Sequence, residues 1–161
     1  MATPWGVSPM TGPTQSPLSL PATTHSYLAR AAESLQEALV ATDVPTRYAC
    51  AHVAALRAAA ALLAARARPT ASRRRRQKSA WVLVAEVSPE LGEWAGFFAA
   101  GAAKRAAAEA GSSRAVTARE ADDLVRDADV FLGVIETALG LAPHLPVGGR
   151  IPVPGARAGV A

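Results

Sequence analysis

The sequence predicts an all-α protein: an up-and-down bundle of four main helices with one short helix added. Three observations carry that prediction. The run from Pro45 to Arg68, PTRYACAHVAALRAAAALLAARAR, is dominated by Ala, the residue with the lowest helix cost, and its only Pro stands in the first turn, where a missing N–H does no harm. Apolar residues recur at helical spacing in the other long stretches, while no run of Val, Ile, Thr and Tyr alternates with polar residues at period two. The stretches also carry helix punctuation, with Ser or Thr and then Glu at their starts and Gly at their ends.

Residues 1–22 contain five prolines and no charged side chain, and read as a disordered tail. A first helix is expected from about Thr24, its N-cap, to Thr42. Tyr27, Leu28, Ala31, Leu35, Ala38 and Leu39 form its apolar stripe. Asp43-Val44-Pro45 makes the turn, and Asp43 or Thr46 caps the long helix that follows. That helix presents Tyr48, Val53, Leu56, Leu62 and Leu63, with alanines between them that let neighbours approach closely. Such a surface suits a central rod held on more than one side. Pro69 stops it, because the residue before a proline avoids the α region. A basic loop spans residues 69–78.

Ser79 is the expected N-cap of a short helix, Ala80 to Val87, apolar all round and so expected to be wedged between other elements. Ser88-Pro89-Glu90 opens the next helix, to about Ala110, with Leu91, Trp94, Phe97, Phe98, Gly101 and Ala102 on one broad face. Gly96 and Gly101 each cost about 1 kcal/mol against Ala in a helix, and close packing on the rod would explain both. Thr117 and Glu120 form a capping-box pattern for the last helix, Ala118 to Leu139, whose stripe is Leu124, Ala128, Phe131, Leu132, Ile135 and Leu139. Asp122 and Arg126 are spaced to pair on its outer face. Gly140 ends it. The bundle is thus expected over residues 23–140, and residues 141–161, rich in Pro and Gly, read as a second disordered tail.

The lone cysteine, Cys50, excludes an internal disulfide and any multi-cysteine metal site, and fits a reducing cytoplasm as a buried small hydrophobe. No membrane span is expected, since Arg57 and Arg66 interrupt the longest apolar run. No cofactor or metal spacing is present. The net charge of +4 hides an asymmetry. Arg66, Arg68, Arg73, Arg74, Arg75, Arg76 and Lys78 hold seven of the seventeen Lys and Arg; the remaining ten face thirteen Asp and Glu. All the basic excess therefore sits in one segment.

Three blocks carry a family resemblance: RYACAHVAALRAAAALLAARARP, then RRRRQKSAWVLVAEVSPELGEWAGFFAAGAAKRAAAEAG, then VTAREADDLVRDADVFLGVIETALGL. Their order resembles the actinobacterial SAV subfamily of HEPN (higher eukaryotes and prokaryotes nucleotide-binding) domains, over about Tyr27 to Leu141. The resemblance implies a four-helix bundle, frequently dimeric, associated with RNA or nucleotides. Its active members are metal-independent endoribonucleases that carry an Arg, four to six residues, then a His; others are non-catalytic.

Arg47 and His52 match that spacing. Tyr48 follows the Arg where Asn, Asp or His is common, and the pair opens the second helix rather than a later one. His52 as base or acid and Arg47 as phosphate ligand would suit cleavage at a ribose 2′-OH. Five helical steps put the two about 140° apart on the wheel, however, so they do not face each other within one chain. The other reading makes His52 a packed side chain one turn from Tyr48 and Leu56. A non-catalytic chain is expected from these departures. His25 and His144 receive no role, and Trp94, Phe97 and Phe98 read as core rather than as a base-stacking platform.

Two functions remain open at this stage. One is nucleic-acid association through the arginine loop. The other is a non-enzymatic interaction or dimerisation module with a protein partner.

Overall fold

The structure is a computed structural model that describes residues 19–66 and 78–147. The two tails before residue 19 and after residue 147, and the segment 67–77, lie outside the described residues. The chain is all-α: α1 (Ala22–Val40), α2 (Val44–Arg66), α3 (Ala80–Val87), a 3-10 turn (Pro89–Leu91), α4 (Gly92–Ala100), α5 (Ala102–Glu109) and α6 (Ala118–Ala138).

α2 is the axis of the bundle. It packs against α1, α3, α5 and α6. Ala51, Ala54, Ala55, Ala58, Ala59 and Ala61 are all buried, so the small side chains serve as contact surface for several neighbours at once. α1 runs antiparallel to it, joined by a tight turn that Asp43 caps by accepting from the Thr46 N–H at 2.9 Å. Hydrogen bonds from the Thr46 side chain and main chain hold the Asp43 carboxyl below its usual range. The chain from Ser88 to Lys104 is antiparallel to α2 as well, with Arg66 near Glu90 and Tyr48 near Gly101. α6 runs parallel, pairing Asp122 with Arg47 and Ala138 with Arg66. By length and composition α2 is apolar enough to cross a membrane, contrary to the reading that its arginines interrupt it, but half of its most apolar window is buried inside the bundle.

The core is aromatic at its centre. Phe98 lies 5.0 Å from Phe131, 5.1 Å from Trp81 and 6.0 Å from Trp94, ring centre to ring centre. Leu35, Leu62, Val84, Leu124, Leu132 and Ile135 close around these rings. Each buried side chain of this size contributes about 1.5–3 kcal/mol. α6 places Leu124, Ala128, Phe131, Leu132, Ile135 and Leu139 inside, as its periodicity predicts. Its N-terminus carries the full capping box: Thr117 Oγ1 accepts from the Glu120 N–H, and Glu120 accepts from the Thr117 N–H.

Several local expectations are corrected. Pro21 precedes α1, and Thr24 lies inside the first turn, where it is buried and donates to the Ala61 carbonyl at 3.3 Å. A hydroxyl pointed at a neighbouring helix has a tertiary acceptor that a capping pattern does not foresee. Tyr27 and Leu39, at the stripe's margins, are exposed. α3 begins after Ser79 and ends at Val87 as expected, but only Trp81 and Val84 are buried; Val82 faces water. Ser88 makes no side-chain cap, and its hydroxyl accepts from Arg66 instead. Asp122 pairs with Arg47, while Arg126 turns to Asp123 at 2.9 Å.

The helix expected through Ala110 is broken at Gly101. The Gly101 N–H bonds to the Phe98 carbonyl three residues back, and that same carbonyl is taken by His52. The glycine is required there: a Cβ would stand 2.9 Å from Tyr48 Oη and 3.3 Å from His52 Cδ2. Gly96 has no such reason, since a Cβ there would meet only open space.

Candidate functional site

Arg47 stands in the second turn of α2. Its Nη1 donates to Asp122 Oδ1 at 2.6 Å and its Nη2 to the Ala41 carbonyl at 3.2 Å. It thereby ties the α1–α2 turn to α6, and both partners stay partly exposed. Arg47 and Asp122 sit on a cleft of ≈ 640 Å³ between α1, α2 and α6, lined mainly by Ala38, Leu39, Val125, Val130, Pro146 and Val147.

His52 is 1% exposed. Tyr48 stacks over it, and Trp81 and Phe98 meet it edge-on. Its Nε2 lies 2.8 Å from the Phe98 carbonyl oxygen. A carbonyl only accepts, so the proton is on Nε2 and the lone pair on Nδ1. Among the described residues Nδ1 has no hydrogen-bond partner. Burial pushes the His52 pKa down, more than the hydrogen bond to Phe98 raises it. The ring is therefore neutral near pH 7. It touches a separate space of ≈ 220 Å³ with Tyr48, Phe97, Gly101 and Lys104. The structure thus assigns Arg47 and His52 to different clefts and does not bring them together within one chain.

The basic segment begins and ends in built contacts. Arg66 donates to Ser88 Oγ at 2.5 Å, Glu90 Oε1 at 3.0 Å and the Ala138 carbonyl at 2.9 Å. One guanidinium thus fastens the end of α2 to the 3-10 turn and to the last turn of α6, a planar fork used on three acceptors. Its own main-chain N–H and Arg66 hold the Glu90 carboxyl below its usual range. Lys78, just before α3, pairs with Glu86 in its last turn. Arg66 and Lys78 are therefore already engaged within the fold. Arg68, Arg73, Arg74, Arg75 and Arg76 lie outside the described residues.

The aromatic residues divide. Phe98 is core and Trp94 is half-buried, whereas Phe97 is 47% exposed and meets Trp94 and Phe98 edge-on. Cys50 is partly exposed rather than buried, and burial still raises its thiol pKa, which keeps it protonated and unreactive.

Sequence reasoning missed His144. It lies beyond Gly140, in the stretch assigned to a tail, yet its two ring nitrogens reach Asp129 at 2.6 Å and Glu136 at 2.7 Å. The signal was present: Asp129 and Glu136 are seven apart, two turns on one face of α6, and Asp129 interrupts an apolar stripe. Among the described residues no group of three His, Cys, Asp or Glu is placed to hold a metal ion. The imidazole lies between the two carboxylates rather than beside them.

The chain is a small all-α bundle threaded on an alanine-rich central helix that carries an Arg and a His five residues apart. The chain belongs to the SAV_6107-like HEPN family, whose model matches residues 38–136. That span runs from the end of α1 to the last turn of α6. No curated protein and no solved structure matches the chain.

Proposed function

We propose that this HEPN module binds nucleic acid, RNA in the first instance, through the phosphates, and does so without cleaving it. The observation that carries the reading is the segregation of charge. Seven cations fall between residues 66 and 78, and the rest of the chain is mildly acidic. Two of the seven are engaged in ion pairs at the segment's ends, which leaves Arg68 and Arg73 to Arg76 as the candidate phosphate ligands. A run of arginines has no fixed geometry toward base edges, so the contact is to the backbone and blind to sequence.

The non-cleaving part of the reading draws on His52. A ring that is buried, neutral and tied to a main-chain carbonyl is poorly placed to take a proton from a ribose hydroxyl, and Arg47 lines another cleft. If cleavage does occur, it would be of the metal-independent endoribonuclease type and would require residues from a second protomer.

Fluorescence anisotropy on labelled single-stranded RNA tests this. Contacts to some four to six phosphates give a log–log salt slope of about −3 to −6. Replacing Arg73 to Arg76 by Ser should flatten that slope by several units and leave the melting temperature unchanged. Absence of binding at about 50 mM salt, or an unchanged slope in the Ser variant, refutes the reading.

A second reading, a protein-interaction or dimerisation module, draws on Phe97, a large ring left half in water beside Trp94. Phe97→Asp would then abolish self-association or partner binding, measured by light scattering, without changing RNA affinity.

A further inference from the structure

Gly140, at φ +75°, turns the chain back at the end of α6, and residues 141–147 run along that helix. Four contacts hold this strap to two carboxylates. The His144 N–H and Nδ1 both reach Glu136 Oε2, at 2.8 and 2.7 Å, while His144 Nε2 reaches Asp129 Oδ1 at 2.6 Å and the Val147 N–H reaches Asp129 Oδ2 at 3.0 Å. The carboxylates are well buried, their side chains 10% and 15% exposed.

An ionised carboxylate only accepts hydrogen bonds. Both imidazole nitrogens face one, so both must carry a hydrogen, and the ring in this arrangement is the imidazolium. The pair of charge-assisted bonds is strong for that reason. Past the latch, Pro146 and Val147 supply one wall of the ≈ 640 Å³ cleft whose other sides are Ala38 and Leu39 of α1, Arg47 of α2 and Val125 of α6.

We propose that residues 141–147 are a proton-operated latch on this cleft. With His144 charged, the strap is pinned to α6 and its end walls the cleft. Loss of one proton sets a ring lone pair against a carboxylate, the hold fails, and the wall opens.

The charged groups around the latch are few. The strap itself contains none besides His144. On α6 they are Asp129 and Glu136, with Asp122 and Arg126 further toward the cleft. From α2, Arg47 neutralises Asp122 and Arg66 bonds the Ala138 carbonyl. α1 contributes only apolar side chains to the cleft. Burial alone would pull the His144 pKa down; the hydrogen bonds to Asp129 and Glu136 outweigh it and raise it above the ordinary 6.5. The sign follows. The stabilisation is complete below pH 6.5 and is lost as pH rises through the raised folded-state value. With both carboxylates ionised, the latch is closed below pH 6.5 and opens as pH rises through that raised value.

NMR on the full chain tests this. Long-range ¹H–¹⁵N spectra at pH 6 should show both His144 nitrogens protonated, with titration above 6.5. The protection factor of the Val147 amide should fall about tenfold through that titration, and the Leu39, Val125 and Val130 methyl shifts should move with the same midpoint. His144→Gln should remove the step and leave Val147 poorly protected throughout. One unprotonated ring nitrogen at pH 6, protection that stays flat while His144 titrates, or a step that survives in His144→Gln would each overturn the latch. The bundle core does not include the strap, so the variant is expected to fold; if it does not, the wild-type titration decides alone.

Discussion

His52 gives the sharpest test of the way this core is built. His52→Ala removes a side chain that is 99% enclosed, since only 1% of it is exposed. Truncating a buried side chain of that size costs about 2–5 kcal/mol. The bond to the Phe98 carbonyl, worth about 1 kcal/mol net, is also lost, although that carbonyl keeps the Gly101 N–H as a donor. Against this, the unpartnered Nδ1 disappears, returning about 1–3 kcal/mol of desolvation cost. At the middle of these ranges the net expectation for Ala is a loss of about 2.5 kcal/mol. His52→Leu fills nearly the same volume and removes both polar atoms, so it should cost less than about 1.5 kcal/mol. The pH dependence separates the variants further. A depressed folded-state pKa means that the unfolded chain binds the proton first, so His52 weakens the fold as pH falls below 6.5. Urea melts at pH 7.5 and 5.5 should therefore show the wild type losing ground against His52→Leu on acidification. A Leu variant as damaged as Ala, or one that loses stability with pH in parallel with wild type, would refute this account of the ring.

Three further outcomes are expected. Phe98→Ala should cost about 3–5 kcal/mol in denaturant melts, and Trp94→Ala clearly less, because Trp94 is only half-buried. Gly101→Ala should lose about 1–3 kcal/mol although Ala is the better helix former, because its Cβ would press on Tyr48 and His52, whereas Gly96→Ala should stabilise by about 0.5–1 kcal/mol. Lys104, then the Thr117 main chain and side chain, hold the Glu120 pKa at about 2, below its ordinary 4.5; stability that depends on this carboxylate should be present above pH 4.5 and lost as pH falls toward 2, and Lys104→Met should shrink that acid-limb loss.

What was legible in the sequence was what local rules govern. The capping box at Thr117 and Glu120, the cap at Ser79, the stop at Gly140 and the stripe of α6 depend on spacing within one segment, and all stand as predicted. What failed depended on partners distant in sequence. Thr24 was read as a cap because its acceptor, the carbonyl of Ala61, belongs to another helix. Asp122 was paired with Arg126 because Arg47 is 75 positions away. Gly101 was correctly attributed to close packing, but the helix break at that residue required knowing that His52 would occupy the Phe98 carbonyl. The Arg47–His52 spacing was visible as a motif, whereas the separate clefts that receive the two side chains follow from the helical wheel only once neighbours are in place.

His52 and His144 show why residue type and spacing say so little about a titratable group. His52 sits among rings with one main-chain acceptor, and nothing nearby repays the cost of charging it. His144 is only half-buried between two carboxylates, and their hydrogen bonds outweigh the cost of that burial and hold its proton. Acid weakens the fold through His52, whereas the hold on His144 is lost only as pH rises through its raised value. The two groups pull in opposite directions, one inside the bundle and one on its surface strap. Their effects are separable because they act on different parts of the molecule. His52 changes global stability, read by a melt, while His144 changes only the opening of residues 141–147, read by local exchange at Val147. A His144→Gln variant whose melting curve shifts as far as that of His52→Ala would mean that the strap is part of the cooperative core and that this division of labour is wrong.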